Sequence, residues 1–289
     1  MRTYLECVAC FLRQALDASR MATDDPAIHE RVLRATLQLA ADMPFDRPPP
    51  WMGQQIHRLL REATGNPDPY RKIKQDSNDL ALSLYPDLHK RVNSSLNPLA
   101  TAVSLAIAGN VIDFGCLTNL TQDEIRQAME DALHTSLDTT AVEKLRRRAA
   151  AARDILYLAD NAGEIVFDRL LIEQLPCARM TLVVRGAPVI NDATRTDAEV
   201  AGLSALVPVI DNGSDAPGTI LESCSASFQA RFAQSDLVIA KGQGNYETLS
   251  GDHSHTIFLF MAKCPVAAAD AGCRVGERVI VHDRPHCSR

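Results

Sequence analysis

Apolar residues recur at three-to-four spacing through the first half of the chain. Leu5, Val8, Phe11, Leu12, Ala15 and Leu16 share one helical face, and Ile28, Val32, Leu33, Ala35, Leu37 and Leu39 repeat it over residues 26–41. Residues 43–50 carry four prolines and read as a rigid loop. Residues 51–63 and 70–88 have further amphipathic patterns. Asn97-Pro98 opens a helix running to Gly109, with proline at a tolerated first-turn position. Thr121-x-x-Glu124 has the form of a capping box, and residues 141–153 form an Ala/Arg-rich helix.

Beyond residue 153 the rhythm changes to short apolar runs alternating with helical stretches. Strands are predicted over 154–159, 180–184, 206–210, 236–240, 256–262 and 278–281, and helices over 164–175, 192–203 and 219–233. Pro208 puts the third strand at an edge or an irregular position. Such alternation predicts an α/β fold with a mostly parallel sheet covered by helices. The pattern divides the chain into a helical domain, 1–150, and an α/β domain, 151–289.

Composition narrows the function. Thirty Lys and Arg against 36 Asp and Glu give a net charge of −6, which argues against a duplex nucleic-acid binder. Fourteen aromatic residues (Phe 8, Tyr 5, Trp 1) are too few for a base-stacking platform. No apolar run approaches the roughly 20 residues that span a bilayer, and no secretory signal is visible, so a soluble, cytoplasmic protein without a membrane partner is expected. Eight cysteines fit that compartment as reduced thiols.

Ligands of open parallel sheets sit beyond the carboxyl ends of the strands. Here those ends read Asp160-Asn161-Ala162-Gly163-Glu164, Arg185-Gly186-Ala187-Pro188-Val189-Ile190-Asn191-Asp192, Asp211-Asn212-Gly213 and Lys241-Gly242-Gln243-Gly244-Asn245-Tyr246-Glu247. Carboxylates and amides of this kind suit a hard divalent cation that keeps some waters and meets a substrate phosphate. Asp160, Asn161 and Asp192 are candidate metal ligands, and Lys241 a candidate phosphate partner, with glycines admitting backbone N–H groups. Each piece also has a plain structural reading. Asn161-x-x-Glu164 is equally a capping box, Asn191-Asp192 a helix cap, Asp211-Asn212-Gly213 a turn, and Lys241 to Gly244 a loop. Coincidence at four strand ends together favours a site.

These segments resemble the damage-control phosphatase family, metal-dependent enzymes once known only as a domain of unknown function and also called the ARMT-like metal-binding domain. Gly109-Asn110-Val111-Ile112-Asp113-Phe114-Gly115, Asp68-Pro69-Tyr70 with Lys74, and Lys263-Cys264-Pro265 extend the resemblance over nearly the whole chain. Cys7-x-x-Cys10 resembles the archaeal and bacterial branch. The resemblance implies a bundle-like helical part on a Rossmann-like α/β/α core, and a phosphatase for small phosphorylated metabolites using Mn, Co, Ni or Mg. It implies Asp160, Asn161 and Asp192 as metal ligands and, with Lys241, as catalytic residues. It also implies Lys241, Gly242, Asn110, Asp113, Glu164 and Asn245 on the substrate side. No ligand position departs from the pattern. The attacking group is then either a water activated by the metal or one of the aspartates.

Other signals are weaker. Cys7-x-x-Cys10 lies at a helix start rather than in the βαβ setting of a redox pair, and no second close pair completes a zinc site, so structural thiols are preferred. His253-x-His255 reads as a solvated pair, and Arg146 to Arg148 as an exposed helical face. Two rival functions stay open: an S-adenosylmethionine-dependent carboxyl methyltransferase, and a non-catalytic metal or metabolite binder. Gly242-x-Gly244 falls short of a full dinucleotide fingerprint and comes late in the chain.

Overall fold

The computed structural model describes residues 1–111, 122–135, 137–251 and 255–282. Three N-terminal helices, α1 (Leu5–Ala22), α2 (Pro26–Asp42) and α3 (Pro49–Thr64), close on their own apolar cluster of Phe11, Ala15, Val32, Met52, Ile56, Leu60 and Tyr70. Asp25 caps α2 by accepting from the Ala27 amide, with Pro26 in the first turn. The proline-rich stretch ends sooner than the sequence suggests. Pro49 and Pro50 begin α3, where the missing N–H groups would have had no helical partner. Gly65 stops α3 in the left-handed conformation at φ 66°.

Helix α4 (Arg71–Ser94) runs past Pro86 and beyond the expected end at Leu88. Asn97 caps α5 (Pro98–Ala108), which is buried along most of its length. Helices α6 (Gln122–His134) and α7 (Thr139–Ala151) follow. Thr121, the expected cap of α6, lies outside the described residues.

The α/β half contains strands β1 (Ile155–Leu158), β2 (Met180–Val184), β3 (Val209–Asp211), β4 (Leu237–Lys241), β5 (Thr256–Met261) and β6 (Arg278–His282). Their order is β3-β2-β1-β4-β5-β6. β1 to β5 are parallel, and β6 pairs antiparallel with β5. Helices α8 (Glu164–Ile172), α9 (Arg195–Val200), α10 (Ala226–Gln234), α11 (Gln243–Leu249) and α12 (Pro265–Ala271) complete the described α-helices. This is the Rossmann-like α/β/α arrangement with a helical N-terminal part. β3 is one of the two edge strands, as Pro208 suggests, and begins at Val209, just after that proline.

Alternation along the strands sorts side chains between two cores. Ile155, Tyr157, Leu237, Ile239, Ile257 and Leu259 join a cluster with α4 to α8. Leu156, Leu158, Val238, Ala240, Phe258 and Phe260 join a second cluster with Phe228, Phe232 and Tyr246. Val103, Leu105 and Ile107 of α5 and Leu145 of α7 share the first cluster with the sheet, so the hydrophobic core continues across residue 150. Among the described residues no helix is long and apolar enough to cross a membrane.

α8 stops at Ile172, short of the expected end at Leu175, and two other expected helices start late. The first begins only at Arg195, because residues 185–193 are committed to loop bonds such as Arg185 N–H to the Ala193 carbonyl. The other begins at Ala226, capped by Ser225.

His57 is buried on α3, with its ring edge-on to Tyr70 at 5.6 Å. Burial, then the Arg61 charge, push its pKa down to about 3. Its folded pKa therefore lies below the unfolded value of about 6.5. The stability that this group contributes is complete above that value and is lost as pH falls toward the folded pKa. Replacing His57 with Leu should move the acid midpoint of unfolding to lower pH, followed by circular dichroism. An unchanged midpoint would mean that charging this imidazole is not what unfolds the helical unit.

Candidate functional site

The sheet reverses its strand order between β1 and β4, and the carboxyl ends at such a switch point are where ligands of open α/β sheets bind. Leu158 is in register with Val183 of β2 and Ala240 of β4. Asp160, Arg185 and Lys241 therefore leave the sheet at similar height. Asn161 then makes an isolated antiparallel bridge with Asp192. The Ala162 amide donates to the Asn191 carbonyl at 2.8 Å, and the Ala193 amide to the Asp160 carbonyl at 2.8 Å. This small ladder brings Asp160, Asn161 and Asp192 together.

Arg185 ties the two aspartates to each other. Its Nε donates to Asp192 Oδ2 at 2.6 Å, and its Nη2 lies 3.6 Å from Asp160 Oδ1. Its Nη1 donates to Thr219 and to Asn245 Oδ1. Asn245 Nδ2 donates to the carbonyls of Lys241 and Ala159, so it links the ends of β4 and β1. Gly242 sits against Asp160 at φ 79°, and a Cβ there would lie 1.8 Å from Asp160 Oδ2. Any side chain at that position would push the carboxylate out of place.

Below this layer lies a second one. Asn110 Nδ2 donates to Asp160 Oδ2 at 2.9 Å and to Glu164 Oε2 at 2.7 Å. Asn161 Nδ2 bridges the same two carboxylates at 3.0 and 3.1 Å. Glu164 is the first residue of α8, whose cap is Gly163, so the capping-box reading is not realised. The Gly163 amide donates to Asn78 of α4, leaving the Glu164 carboxylate for the site. Nor do Asn191 and Asp192 cap α9, because Thr194 and Asp197 form that capping box. Asp211 accepts from the Gly213 amide and from exposed Arg195, as a turn residue would.

Lys241 departs from its expected role. Its ammonium points inward and is wholly buried, donating to Glu164 at 2.6 Å, Asp168 at 2.5 Å and the Ala106 carbonyl at 2.8 Å. Tyr157 donates to the same Asp168 oxygen at 2.8 Å. With every direction of the ammonium filled by protein oxygens, Lys241 neutralises carboxylates rather than facing a phosphate. Burial pulls its pKa down, but Asp168 and Glu164 pull it up further, so the lysine stays charged.

Two groups to which the sequence assigns no role are Arg185 and Lys263. Lys263 follows β5 on the same rim, and its charge lowers the pKa of Asp160. Asp168 is a third, although it stands one helical turn from Glu164 on the same face of α8. Asp113 lies outside the described residues.

The electrostatics favour a cation. Four buried carboxylates, Asp160, Glu164, Asp168 and Asp192, face two buried cations, Arg185 and Lys241. Burial, then Glu164 and Asp192, hold the Asp160 pKa well above the usual carboxylate range, while Lys263 and Arg185 only partly oppose this. Among the described residues, Asn110 Oδ1 is a buried acceptor with no donor, and Arg185 Nη2 and Asn191 Nδ2 are buried donors with no acceptor. Unpaired buried polar atoms are costly, so these three are open to a water, an ion or a ligand. No three His, Cys, Asp or Glu side chains among the described residues form a ready metal cluster. Two aspartates and a carboxamide, with waters and substrate oxygens, are nevertheless an adequate shell for a hard divalent ion. The donor set therefore fits.

Comparison with known proteins places this site in context. The sequence model described as Damage-control phosphatase ARMT1-like domain matches residues 3–279. An uncharacterized protein of Methanocaldococcus jannaschii is 37% identical over 288 residues, 96% of this chain and 94% of that one. A protein of Pyrococcus horikoshii named damage-control phosphatase is 33% identical over 291 residues, 98% of this chain and 99% of that one. An Archaeoglobus fulgidus protein of the same name is 32% identical over 279 residues, 94% and 96% of the two chains. The crystal structure of a DUF89 family protein from Pyrococcus horikoshii superposes with a TM-score of 0.88 at 34% identity, covering 98% of this chain and 100% of that one.

Proposed function

The chain belongs to the Damage-control phosphatase ARMT1-like family, and from that membership we propose that it is a phosphatase requiring a divalent metal and hydrolysing small phosphorylated metabolites, sugar phosphates or damaged phosphometabolites. The observation that carries the metal requirement is the surplus of buried carboxylates over cations at the switch point of the sheet. Asp160, Asn161 and Asp192 would hold Mn, Co, Ni or Mg. When bound, such an ion supplies a Lewis acid for a phosphoryl oxygen.

The chain's own residues do the rest. Arg185 Nη2, buried and without an acceptor, and Lys263 are the cations placed to hold phosphoryl oxygens as charge develops on them. Asn110 and Asn161 each donate to both Asp160 and Glu164, which fixes the two carboxylates relative to each other. Lys241 donates to both Glu164 and Asp168 beneath them and so holds the Glu164 carboxylate in place. Gly242 gives Asp160 the space it occupies.

The test is release of inorganic phosphate from a panel of sugar phosphates, with Mn²⁺, Co²⁺, Ni²⁺ or Mg²⁺ added to chelator-treated protein. Turnover restored by at least one metal and abolished by chelator is expected. Turnover indifferent to chelator would overturn the metal requirement. Methyl transfer from S-adenosylmethionine, or metabolite binding with no phosphate release, would overturn the phosphatase reading.

A further inference from the structure

Ile190 is, among the described residues, the one non-glycine residue with a positive φ, 47°. A β-branched side chain in that region is strained, and such strain persists only where the surroundings impose it. Ile190 stands two positions before Asp192. Its side chain packs on the cluster formed by α1 to α3, which includes Met52, Ile56, Leu60 and Tyr70.

The same segment is gripped from two sides. From the helical unit, Arg61 of α3 donates to the Pro188 carbonyl at 2.9 Å. Arg58 and Arg61 also pair with Asp215 at 2.6 and 2.5 Å, which fixes α3 to the neighbouring loop. From the sheet, the Ala162 and Ala193 amides hold Asn191 and Asp160 through the small ladder, while the Asp192 amide closes a turn on the Val189 carbonyl at 3.0 Å. Ile190 lies where these two grips meet, so its unfavourable backbone is the link between helical unit and sheet rim.

We propose that Ile190 is a positioning residue, through which the N-terminal helical unit sets the placement of Asp192 beside Asp160 and Asn161 and thereby the affinity of the site for a divalent cation. The cation rests on the function proposed above; the placement of Asp192 does not. Packing alone would make Ile190 a contributor to stability. Positioning makes it a contributor to the order of a ladder to which it does not itself hydrogen-bond.

Three variants separate these. Ile190→Gly removes the side chain and the strain, Ile190→Asn removes the apolar anchor but tolerates positive φ, and Ile190→Leu keeps an anchor. In metal-free protein, amide hydrogen exchange by NMR should quicken about tenfold at Ala162 and Ala193 in the Gly and Asn variants, and return toward wild type in the Leu variant. Calorimetric titration with Mn²⁺ alone should show affinity lowered roughly 10- to 100-fold in the first two, the scale for removing support behind a ligand. Unchanged exchange at both amides would overturn the positioning role. Faster exchange with unchanged Mn²⁺ affinity would overturn the link to the cation. If the wild-type protein binds no divalent metal, the proposed function fails, and the exchange rates alone decide the role of Ile190.

Discussion

Replacing Asp160 with Asn is expected to remove roughly a thousandfold or more of metal-dependent turnover while leaving the metal-free protein at least as stable as wild type near neutral pH. The two effects share one cause. Asp160 is a buried carboxylate placed near Glu164 and Asp192, and its ionisation is opposed by burial first and by those charges next. Its folded pKa is raised above the unfolded value, so the stability it contributes is present below about pH 3.9 and is lost as pH rises through the folded pKa. An amide carries no such penalty. The carboxamide of the variant would still present an oxygen to the Asn110 and Asn161 amides that now donate to Asp160. The stability difference between variant and wild type should widen in favour of the variant as pH rises from acid toward neutrality. Adding Mn²⁺ should reverse the order, because only the wild type gains from binding in proportion to the logarithm of metal concentration. Thermal melts across pH, with chelator and with Mn²⁺, measure all of this. A variant markedly less stable than wild type in chelator at neutral pH would contradict the picture of a carboxylate kept in place for a cation.

The sequence made the rim legible because β1 to β4 each run into a polar residue with a glycine one to three positions further on. Those junctions are local, and residues at parallel strand ends are brought level by the sheet itself. Lys241 points inward for a reason also present in the sequence. Leu237 and Ile239 face the core shared with α5 and α8, whereas Val238 and Ala240 face the other side. A period of two therefore sends Lys241 inward with Ile239. The strand-end rule ignored that parity. The contacts from helices before residue 150 were out of reach in another way. Asn78 to the Gly163 amide and Asn110 to Glu164 join residues 85 and 54 positions apart, and no periodicity encodes such pairs. The same holds for the segment around Ile190, which lies before the expected helix at 192–203. Arg61 grips it at the Pro188 carbonyl and Ile190 packs on the cluster of α1 to α3, contacts that no local pattern encodes.

Lys241→Met is the variant that most sharply separates an inward lysine from a phosphate-facing one. Lys241, Glu164 and Asp168 are all wholly buried, and the ammonium is the cation that both carboxylates contact. Removing it strands two acids in a low-dielectric core, and breaking a buried pair in this way costs about 3–5 kcal/mol. At roughly 2–4 °C per kcal/mol for a chain of this size class, the melting temperature should fall on the order of 10 °C. Adding Asp168→Asn to Lys241→Met removes one charge of each sign. The carboxamide introduced in place of Asp168 can still accept from Tyr157, and Glu164 keeps the Asn110 and Asn161 donors. The double variant should then be clearly more stable than the sum of the two single effects, a coupling read from a double-mutant cycle by denaturant unfolding. A lysine reserved for phosphate would behave in the opposite manner, raising KM on removal while leaving the melting temperature alone and showing no coupling to Asp168. Asp168 is the discriminating partner because it sits one turn deeper in α8 than Glu164, where a dependence of Lys241 on it reports the buried ion pair itself.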